Sequence, residues 1–517
     1  MPAAVNISEA QAQIALSTDI DFAMCLIGYS TSSAVSAGQV SPMYGSPAAA
    51  VADLGLSDCV DALCHAITKT QGNTAPPPAA HYKTPATTGG VRGGTLTVSG
   101  VTGTSVVTKT SATNPIGTFQ PVGRVITGGT IGVAGIILQF SLDNGRTWLP
   151  QVALGTATTK KIQISVNGSL VDTGVQYDFA AGTLVTGDTW SESKTTPPMW
   201  GTSDLYAAGP PAAGAFAAIA ESDKNFGILV ITEPVQASDF ATLVAGLNYG
   251  LSMGKRWLLM VRFRDPTSGE TDAAYITAFQ TFAAANQDDR ICPVAGSGWL
   301  TDAFRGFVHL RSGLPAVLAR LQSNAVVPGS EGEKIAQHPG YVQRGPLEGF
   351  SVTDTSGNQV GHDEQIRGGI DGPVGSTGGG LTFFRIPGDL PGTYVSDASV
   401  LYPAPNRGIL TLMDRRVANG IERVASAIAW LEIQGAAIFD PETLALDDSK
   451  RDAIQTKIAK AIRDRYRNEF QNPDDPNLVE VNPTVMVNGA RVTISGTLNV
   501  RFYGYIHTIN LSFSATR

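Results

Sequence analysis

The sequence predicts an α/β (α+β) multidomain protein. We expect a mixed or largely parallel sheet with flanking helices, an inserted all-β module, and extended N- and C-terminal strands. Three observations predict this: strand and helix patterns alternate within 212–322, a Thr/Gly/Val-rich stretch fills 81–206, and apolar residues alternate with polar ones within 492–513. The length of 517 residues suggests three to four domains at roughly 150 residues each.

The first 80 residues predict an arm followed by part of a folded core. Residues 1–20 are expected to form an extended N-terminal arm, because Val5 and Ile7 stand between small and polar residues. An apolar run at 22–29 predicts a buried strand and opens the first core segment, 21–80. A proline-rich stretch at 75–78 breaks the chain before the composition changes.

The segment 81–206 predicts the all-β module. Short β-like runs recur at 95–99, 135–142, 161–166 and 183–186, and turn residues separate them. This pattern is typical of a sandwich or barrel. Because its removal would leave a coherent α/β unit, we expect the module to be inserted and to face outward.

The segment 207–322 predicts an α/β domain. Apolar runs at 226–232 and 257–263 read as strands, and Ser238 is expected to cap the helix between them. A second helix at 272–285 leads to a third strand at 290–295, which Pro293 weakens. This β-α-β-α-β order predicts a largely parallel sheet with helices on its faces.

A loop-rich segment, 323–408, precedes the C-terminal part of the core, 409–517. There the apolar spacing of Val417, Ile421, Val424, Ile428 and Leu431 predicts a long helix that docks against another surface. A strongly basic helix at 447–470 follows, and two alternating runs then predict terminal strands.

Composition excludes several functional classes. The net charge of −8 and pI of about 5.3 argue against a nucleic-acid binder. The sequence shows neither a signal peptide nor ~20 consecutive apolar residues, so we expect assembly in the cytoplasm without membrane insertion. Four cysteines do not make a disulfide framework. Cys59, Cys64 and His65 lack a second ligand pair, so we expect buried thiols and no metal.

The sharpest local motif is an Asp-box, Ser-x-Asp-x-Gly-x-Thr-Trp, between Ser141 and Trp148. In this motif the Ser and Asp side chains bond the backbone of a hairpin turn, while Gly takes a positive φ. A glycosidase would also need a positioned pair of carboxylates. The single copy predicts a structural hairpin rather than a glycosidase site.

Other catalytic signals are weak. Gly250-Leu251-Ser252-Met253-Gly254 matches G-x-S-x-G, but a helix precedes it and a strand follows, which reverses the order of a nucleophile elbow. His362 lies beside two acidic residues in a polar loop, and the Gly-rich run at 368–380 lacks a lysine and a following helix. We therefore predict no enzyme, and no catalytic, cofactor-binding or metal-binding residue.

Two stretches resemble the contractile tail sheath family of phages, R-type bacteriocins and related contractile injection systems. The first, 409–470, contains a helix entered through Asp414-Arg415-Arg416, then Phe439-Asp440-Pro441-Glu442-Thr443, then the basic helix. The second is 179–190, which is similar to β insertions in some sheath proteins.

The resemblance implies a structural subunit that forms stacked hexameric rings around a tail tube and contracts to drive the tube through a cell envelope. It implies strand exchange between neighbouring subunits, which we assign to Val5, Ile7, Ile509, Leu511 and Phe513. It also implies a tube-facing helix, to which we assign Lys457, Lys460, Arg463 and Arg467. The expected partners are further copies of the chain, the tail tube protein, and the baseplate and tail terminator proteins.

The sequence leaves two alternatives to the sheath function. One is another virion component, such as a baseplate or capsid-associated protein. The other is a carbohydrate-active β-domain enzyme, which only the Asp-box suggests.

Overall fold

A computed structural model describes residues 23–68, 78–86, 88–100, 102–110, 114–166, 169–267, 270–303, 308–323, 347, 350–353, 382, 384–385, 392–395, 399–402, 409, 411–434, 447–466, 474–476, 478–481, 487–488, 491–500 and 509–516. The predicted N-terminal arm with Val5 and Ile7 lies outside these residues, as do His362, Arg467 and the run 368–380.

A five-stranded parallel sheet forms the centre of the α/β part. Its strands are β1 (Met24–Gly28), β2 (Ala79–Lys83), β13 (Ile228–Val235), β14 (Leu258–Phe263) and β15 (Ile291–Val294). They run in the order β15-β14-β13-β1-β2, and each neighbouring pair is parallel. The segments before and after the module therefore build one sheet. The predicted domain boundary after residue 80 falls inside β2. Pro293 lies in β15, at the edge of the sheet, where a missing backbone N–H is tolerated.

Different helices cover the two faces of this sheet. Met24 and Leu26 pack on one face and Cys25 and Ile27 on the other, as the period of a strand requires. The first face is covered by α2 (Asp58–Ile67) and α8 (Leu412–Gln434); α1 (Pro47–Leu54) and α7 (Leu314–Ser323) pack on α2, and α9 (Asp448–Tyr466) packs on α8. The second face is covered by α3 (Thr202–Leu205), α4 (Ala215–Glu221), α5 (Phe240–Ser252) and α6 (Asp272–Ala285). The predicted fold class is confirmed.

The inserted module consists of antiparallel strands. They are β3 (Thr97–Ser99), β4 (Val107–Lys109), β5 (Val122–Thr127), β6 (Gly129–Thr130), β7 (Ile137–Ser141), β8 (Val152–Ala153), β9 (Thr159–Val166), β10 (Ser169–Phe179), β11 (Thr183–Leu184) and β12 (Thr189–Ser191). They form sheets of order β3-β12-β5-β7-β8, β4-β10-β9 and β11-β6. The buried rings of Phe140, Tyr177 and Trp190 contact one another between the sheets.

The sequence pattern missed β10, a strand of 11 residues. Asp172-Thr173-Gly174 interrupts its apolar alternation, and the structure places a bulge between Asp172 and Gln176. Gly174 has φ of 75°, and a Cβ there would lie 2.0 Å from the carbonyl oxygen of Asn114. The glycine therefore belongs to a bulge within one strand rather than to a turn between two strands.

Smaller sheets complete the fold. They comprise β16 (Ser297–Thr301), β17 (Val308–Ser312) and β18 (Phe350–Val352), the pair β19 (Phe384–Arg385) and β20 (Tyr394–Val395), and the C-terminal sheet of β21 (Val479–Val481), β22 (Val487–Asn488), β23 (Arg491–Val500) and β24 (Ile509–Thr516). Within the described ranges, no helix is both long and apolar enough to cross a membrane.

The prediction that Ser238 caps α5 is wrong. Ser238 lies inside a 3₁₀ turn, Ala237–Asp239, that leads into the helix. The carboxylate of Asp239 instead accepts the backbone N–H of Gln236 at 2.9 Å. The chain thus enters α5 through a tighter turn, and the last residue of that turn provides the local hydrogen bond.

Candidate interaction surfaces

The helix α8 begins with a reciprocal hydrogen-bond pair that its sequence encodes. Thr411 Oγ1 accepts the N–H of Asp414 at 3.2 Å, and the Asp414 carboxylate accepts the N–H of Thr411 at 3.1 Å. This capping box satisfies two backbone donors that a helix start leaves free. The first residues of the stretch that resembles sheath proteins therefore fix where the helix begins.

Charged side chains connect α8 to the parallel sheet. Glu422 accepts Arg256 Nε at 3.0 Å, and its other oxygen lies 3.4 Å from Arg415 Nη2. Arg415 also lies 3.3 Å from Asp289, just before β15. All except Asp289 have side chains no more than 11% exposed. Because paired charges at such low exposure are strongly coupled, this network holds α8 in one position on the sheet.

The apolar stripe of α8 docks against neighbouring elements, as predicted. Val417, Ile421, Val424 and Ile428 are buried. The helix contacts β14 of the parallel sheet, the helix α9, and strands β23 and β24 of the C-terminal sheet. It therefore connects the parallel sheet to the C-terminal sheet.

The basic helix α9 packs on α8 through Ile454, Ile458 and Ile462, all fully buried. Two of its lysines, Lys450 and Lys457, bond the same carboxylate, Glu432 of α8. Burial raises the pKa of Glu432, but the two lysine contacts outweigh it and hold the pKa below its usual range. Part of the positive charge of α9 is thus compensated within the chain.

The predicted tube-facing residues differ in their surroundings. Lys460 is exposed, and Lys457 is 53% exposed while it contacts Glu432. Arg463 is half-buried and donates to the carbonyl oxygen of Asp475 at 3.0 Å. Among the three described residues of this set, Lys460 is therefore the one whose charge most directly faces solvent.

The C-terminal sheet places β24 at an edge. The strand β23 pairs with β21 and with β24. The predicted exchange residues Ile509, Leu511 and Phe513 stand opposite Val500, Leu498 and Gly496. Among the described residues, no strand pairs with the outer side of β24. An edge strand can pair with a further strand on that side.

The Asp-box has the geometry predicted for it. Ser141 Oγ accepts the N–H of Gly145 at 2.8 Å, and Asp143 accepts the N–H of Thr147 at 2.8 Å. Gly145 has φ of 83°, and the ring of Trp148 stacks under Arg124 with 3.8 Å from the guanidinium carbon to the ring centroid. Asp143 is buried and used within the turn, so the motif presents a hairpin rather than a free carboxylate.

The G-x-S-x-G match is an ordinary connection between a helix and a strand. Ser252 is the last residue of α5, and its hydroxyl donates to the carbonyl of Tyr249 at 2.7 Å. The strand β14 follows at Leu258. This order confirms the predicted turn and places the serine away from the carboxyl edge of the sheet.

The sequence did not predict a buried polar cluster beside β1. Glu233, two residues before the end of β13, accepts hydrogen bonds from the backbone N–H of Tyr29 at 3.0 Å, from Trp200 Nε1 at 3.2 Å and from Thr232 Oγ1 at 3.1 Å. Burial raises the pKa of this carboxyl to about 7, against the lowering effect of these hydrogen bonds. The only sequence signal is an acidic residue that closes the apolar run at 226–232.

A cysteine and a histidine belong to the same cluster. Cys59 Sγ lies 3.4 Å from His81 Nδ1. Burial raises the pKa of the Cys59 thiol well above its usual range and lowers the pKa of His81 to about 3. A nucleophilic cysteine requires a lowered thiol pKa and access to substrate. This pair is therefore neutral and buried, and it acts as a structural contact. All four cysteines are buried, as predicted.

Comparison with models of protein families and with curated protein sequences finds no match. Two solved structures are similar to this chain. One is a sheath tail protein from Listeria innocua, with 11% identity, a TM-score of 0.39, and coverage of 98% of each chain. The other is a sheath tail protein from Desulfitobacterium hafniense, with 12% identity, a TM-score of 0.43, and coverage of 95% of this chain and 96% of that chain.

Proposed function

We propose that this chain is the structural subunit of a contractile tail sheath. It polymerises as stacked hexameric rings around a tail tube, and contraction drives the tube through the envelope of a target cell. The observation that carries the proposal is the outer edge of β24, with which no strand of the described ranges pairs, on a sheet that α8 connects to the parallel sheet. The resemblance of 409–470 to sheath proteins supports the same assignment.

Strand exchange would link neighbouring subunits. In the single chain, β24 pairs with β23 of its own sheet in a register that sets Leu498 opposite Leu511. The same register can form between two copies, because a strand exchanged between identical subunits makes the same contacts in the neighbour as in its own subunit. The N-terminal arm with Val5 and Ile7 would add a further strand to the free edge of a neighbour.

The basic helix α9 would contact the tube. Lys460 faces solvent, while Lys457 keeps part of its surface exposed beside Glu432. A tube surface with carboxylates opposite Lys457, Lys460, Arg463 and Arg467 would complement it. The baseplate and tail terminator proteins would hold the two ends of the polymer, which would assemble in the host cytoplasm and remain in the virion tail.

Contraction would use energy stored in the subunit arrangement. Exchanged strands keep neighbours connected while rigid parts rotate and pack in a second arrangement. The free-energy difference between the two packings would drive the movement, so nucleotide hydrolysis would not be needed.

Electron microscopy of the purified chain, alone and mixed with its tube protein, tests the proposal. Hollow striated cylinders or stacked sixfold rings are expected. Rings without stacking, or icosahedral particles, would instead indicate another virion component. A persistent monomer in both samples would contradict the sheath function, and turnover of a glycan panel would then support the carbohydrate-active alternative.

Two variants separate the proposed contacts. Deletion of residues 1–16 should leave folded monomers and abolish polymers; intact polymers would exclude arm exchange.

Lys460→Glu should prevent co-assembly with the tube, because it reverses an exposed charge of α9. Lys161→Glu makes the same charge change at an exposed lysine of the β module and should co-assemble normally. Equal behaviour of the two lysine variants would contradict the tube contact.

A further inference from the structure

Two antiparallel segments connect the β module to the α/β core. The backbones of Thr88 and Met199 exchange two hydrogen bonds of 3.0 Å, and Val91 and Thr196 exchange bonds of 3.0 and 2.9 Å. We call this paired connection the neck. Because each strand of the neck satisfies the other, it is stiffer than two separate linkers.

A buried ion pair fixes the neck on the module side. Arg92 Nη2 lies 2.6 Å from Glu192, and the two side chains are 7% and 0% exposed. Tyr177 of β10 donates to the same carboxylate at 2.9 Å. A bend at this point would separate charges that solvent does not reach.

The Asp-box hairpin makes a second connection. Its turn presents Arg146, whose guanidinium carbon lies 3.5 Å from the ring centroid of Trp299 in β16. Trp299 is only 6% exposed. The hairpin thus reaches from the module to a strand of the α/β part.

Polar contacts at the carboxyl edge of the parallel sheet make a third connection. The Asp58 carboxylate, at the start of α2, accepts the N–H of Thr118 at 3.0 Å and also its hydroxyl. Lys194, just beyond β12, pairs with Asp265, which Arg262 of β14 also contacts. Burial raises the pKa of Asp265, but the two cations outweigh it and hold the pKa far below its usual range.

We propose that the Asp-box hairpin, the neck and the Asp58 and Asp265 contacts lock the β module to the α/β core, so that the two move as one body. Because three sets of contacts join the two parts, a large movement about any one of them would have to break the others. The inference holds whether or not the chain builds a sheath. In a sheath, it means that contraction carries the module without a change inside the subunit.

Spin labels on the β module and on the α/β core test the lock, because pulsed electron–electron double resonance measures the distribution of distances between them. Val133→Cys on the module and Leu251→Cys on α5 provide sites that are 58% and 47% exposed, whereas the four native cysteines are buried. The full chain with these two labels should give one narrow distance distribution. A broad or two-peaked distribution would overturn the proposal.

Matched glycine variants test the neck. A Cβ at Gly93 would lie 1.8 Å from the carbonyl oxygen of Ser193, whereas a Cβ at Gly94 would meet only the Ser193 hydroxyl at 3.2 Å. Gly93→Ala should at least double the width of the distance distribution, and Gly94→Ala should leave it unchanged. Equal distributions for the two variants would contradict the role of the neck.

Side-chain variants test the hairpin and the Lys194 contact without a change in backbone conformation. Arg146→Ala combined with Lys194→Ala removes contacts between the two parts. Arg124→Ala removes only contacts inside the module, which are the stacking on Trp148 and the hydrogen bonds to Gln139. The double variant should broaden the distribution, and the Arg124 variant should not. A double variant as narrow as the parent would contradict the role of the hairpin and the Lys194 contact, and this result does not depend on whether Gly93→Ala folds.

Discussion

Arg256 and Glu422 form a 3.0 Å ion pair between residues 166 positions apart in the sequence. Arg256 lies two residues before Leu258, where β14 begins, and Glu422 lies in the middle of α8. The same arginine donates to Ser426 at 2.9 Å, one turn further along the helix. The helix that contacts the C-terminal sheet is therefore held on the parallel sheet by directional contacts as well as by its apolar stripe.

Glu422→Gln should lower the free energy of unfolding by about 3 kcal/mol, because it leaves Arg256 and Arg415 without their shared anion in a poorly exposed site. Urea denaturation followed by circular dichroism measures the change. Glu480→Gln, at an exposed position of β21, is the control and should change stability little. An equal effect of the two substitutions would show that the network does not stabilise the fold.

Glu233 should make stability depend on pH near neutrality. Its pKa is about 7 in the folded chain, so the folded state keeps a proton that the unfolded state has lost above about pH 4.5. The free energy of unfolding should therefore fall by about 3 kcal/mol from this carboxyl as pH rises from 4.5 to above 7. Urea titrations at several pH values should show this fall in the parent and not in Glu233→Gln.

His81 should change the free energy of unfolding with pH in the opposite direction. Its pKa of about 3 keeps it neutral in the folded chain, while the unfolded chain binds a proton below about pH 6.5. Stability should fall as pH drops from about 6.5 towards 3. In Glu233→Gln this fall should be visible without the opposing change, and a Glu233→Gln profile that is flat below pH 6.5 would contradict the buried neutral state of His81.

Asp143→Ala should destabilise the module by about 2 kcal/mol. The substitution removes the acceptor of the Thr147 N–H and leaves Ser141 Oγ without its 2.7 Å partner. Thermal unfolding measures the loss, and Asp223→Ala, whose side chain is 89% exposed, should change little. If both variants unfold like the parent, the Asp-box does not stabilise its hairpin.

The native thiols should react slowly with a maleimide. All four cysteines are buried, and burial raises the pKa of Cys25 and Cys59, which reduces the thiolate fraction. Mass spectrometry should show labelling of the native chain only over hours, and of all thiols within minutes in denaturant. Rapid labelling of Cys59 without denaturant would contradict the buried cluster.

Local patterns predicted many elements correctly. The apolar run that became β14, the stripe of α8 and the Asp-box hairpin each depend on residues close in sequence, and each appears in the structure. The pattern failed where a local signal had two meanings. Ser238 suggested a cap, but the chain forms a 3₁₀ turn there. The alternation of β10 is interrupted at Gly174 by a bulge, and the strand was not predicted.

The sequence by itself determined the α/β class, the presence of an inserted β module and the resemblance of 409–470 to sheath proteins, because periodicity and turn residues act over a few positions. Only the tertiary structure decided that β1 lies between β2 and β13, that Arg146 stacks on Trp299, and that Lys450 and Lys457 share Glu432. These contacts join residues far apart in the chain. Their partners are selected by packing and by the high free-energy cost of burying an unpaired charge, and neither acts through sequence spacing.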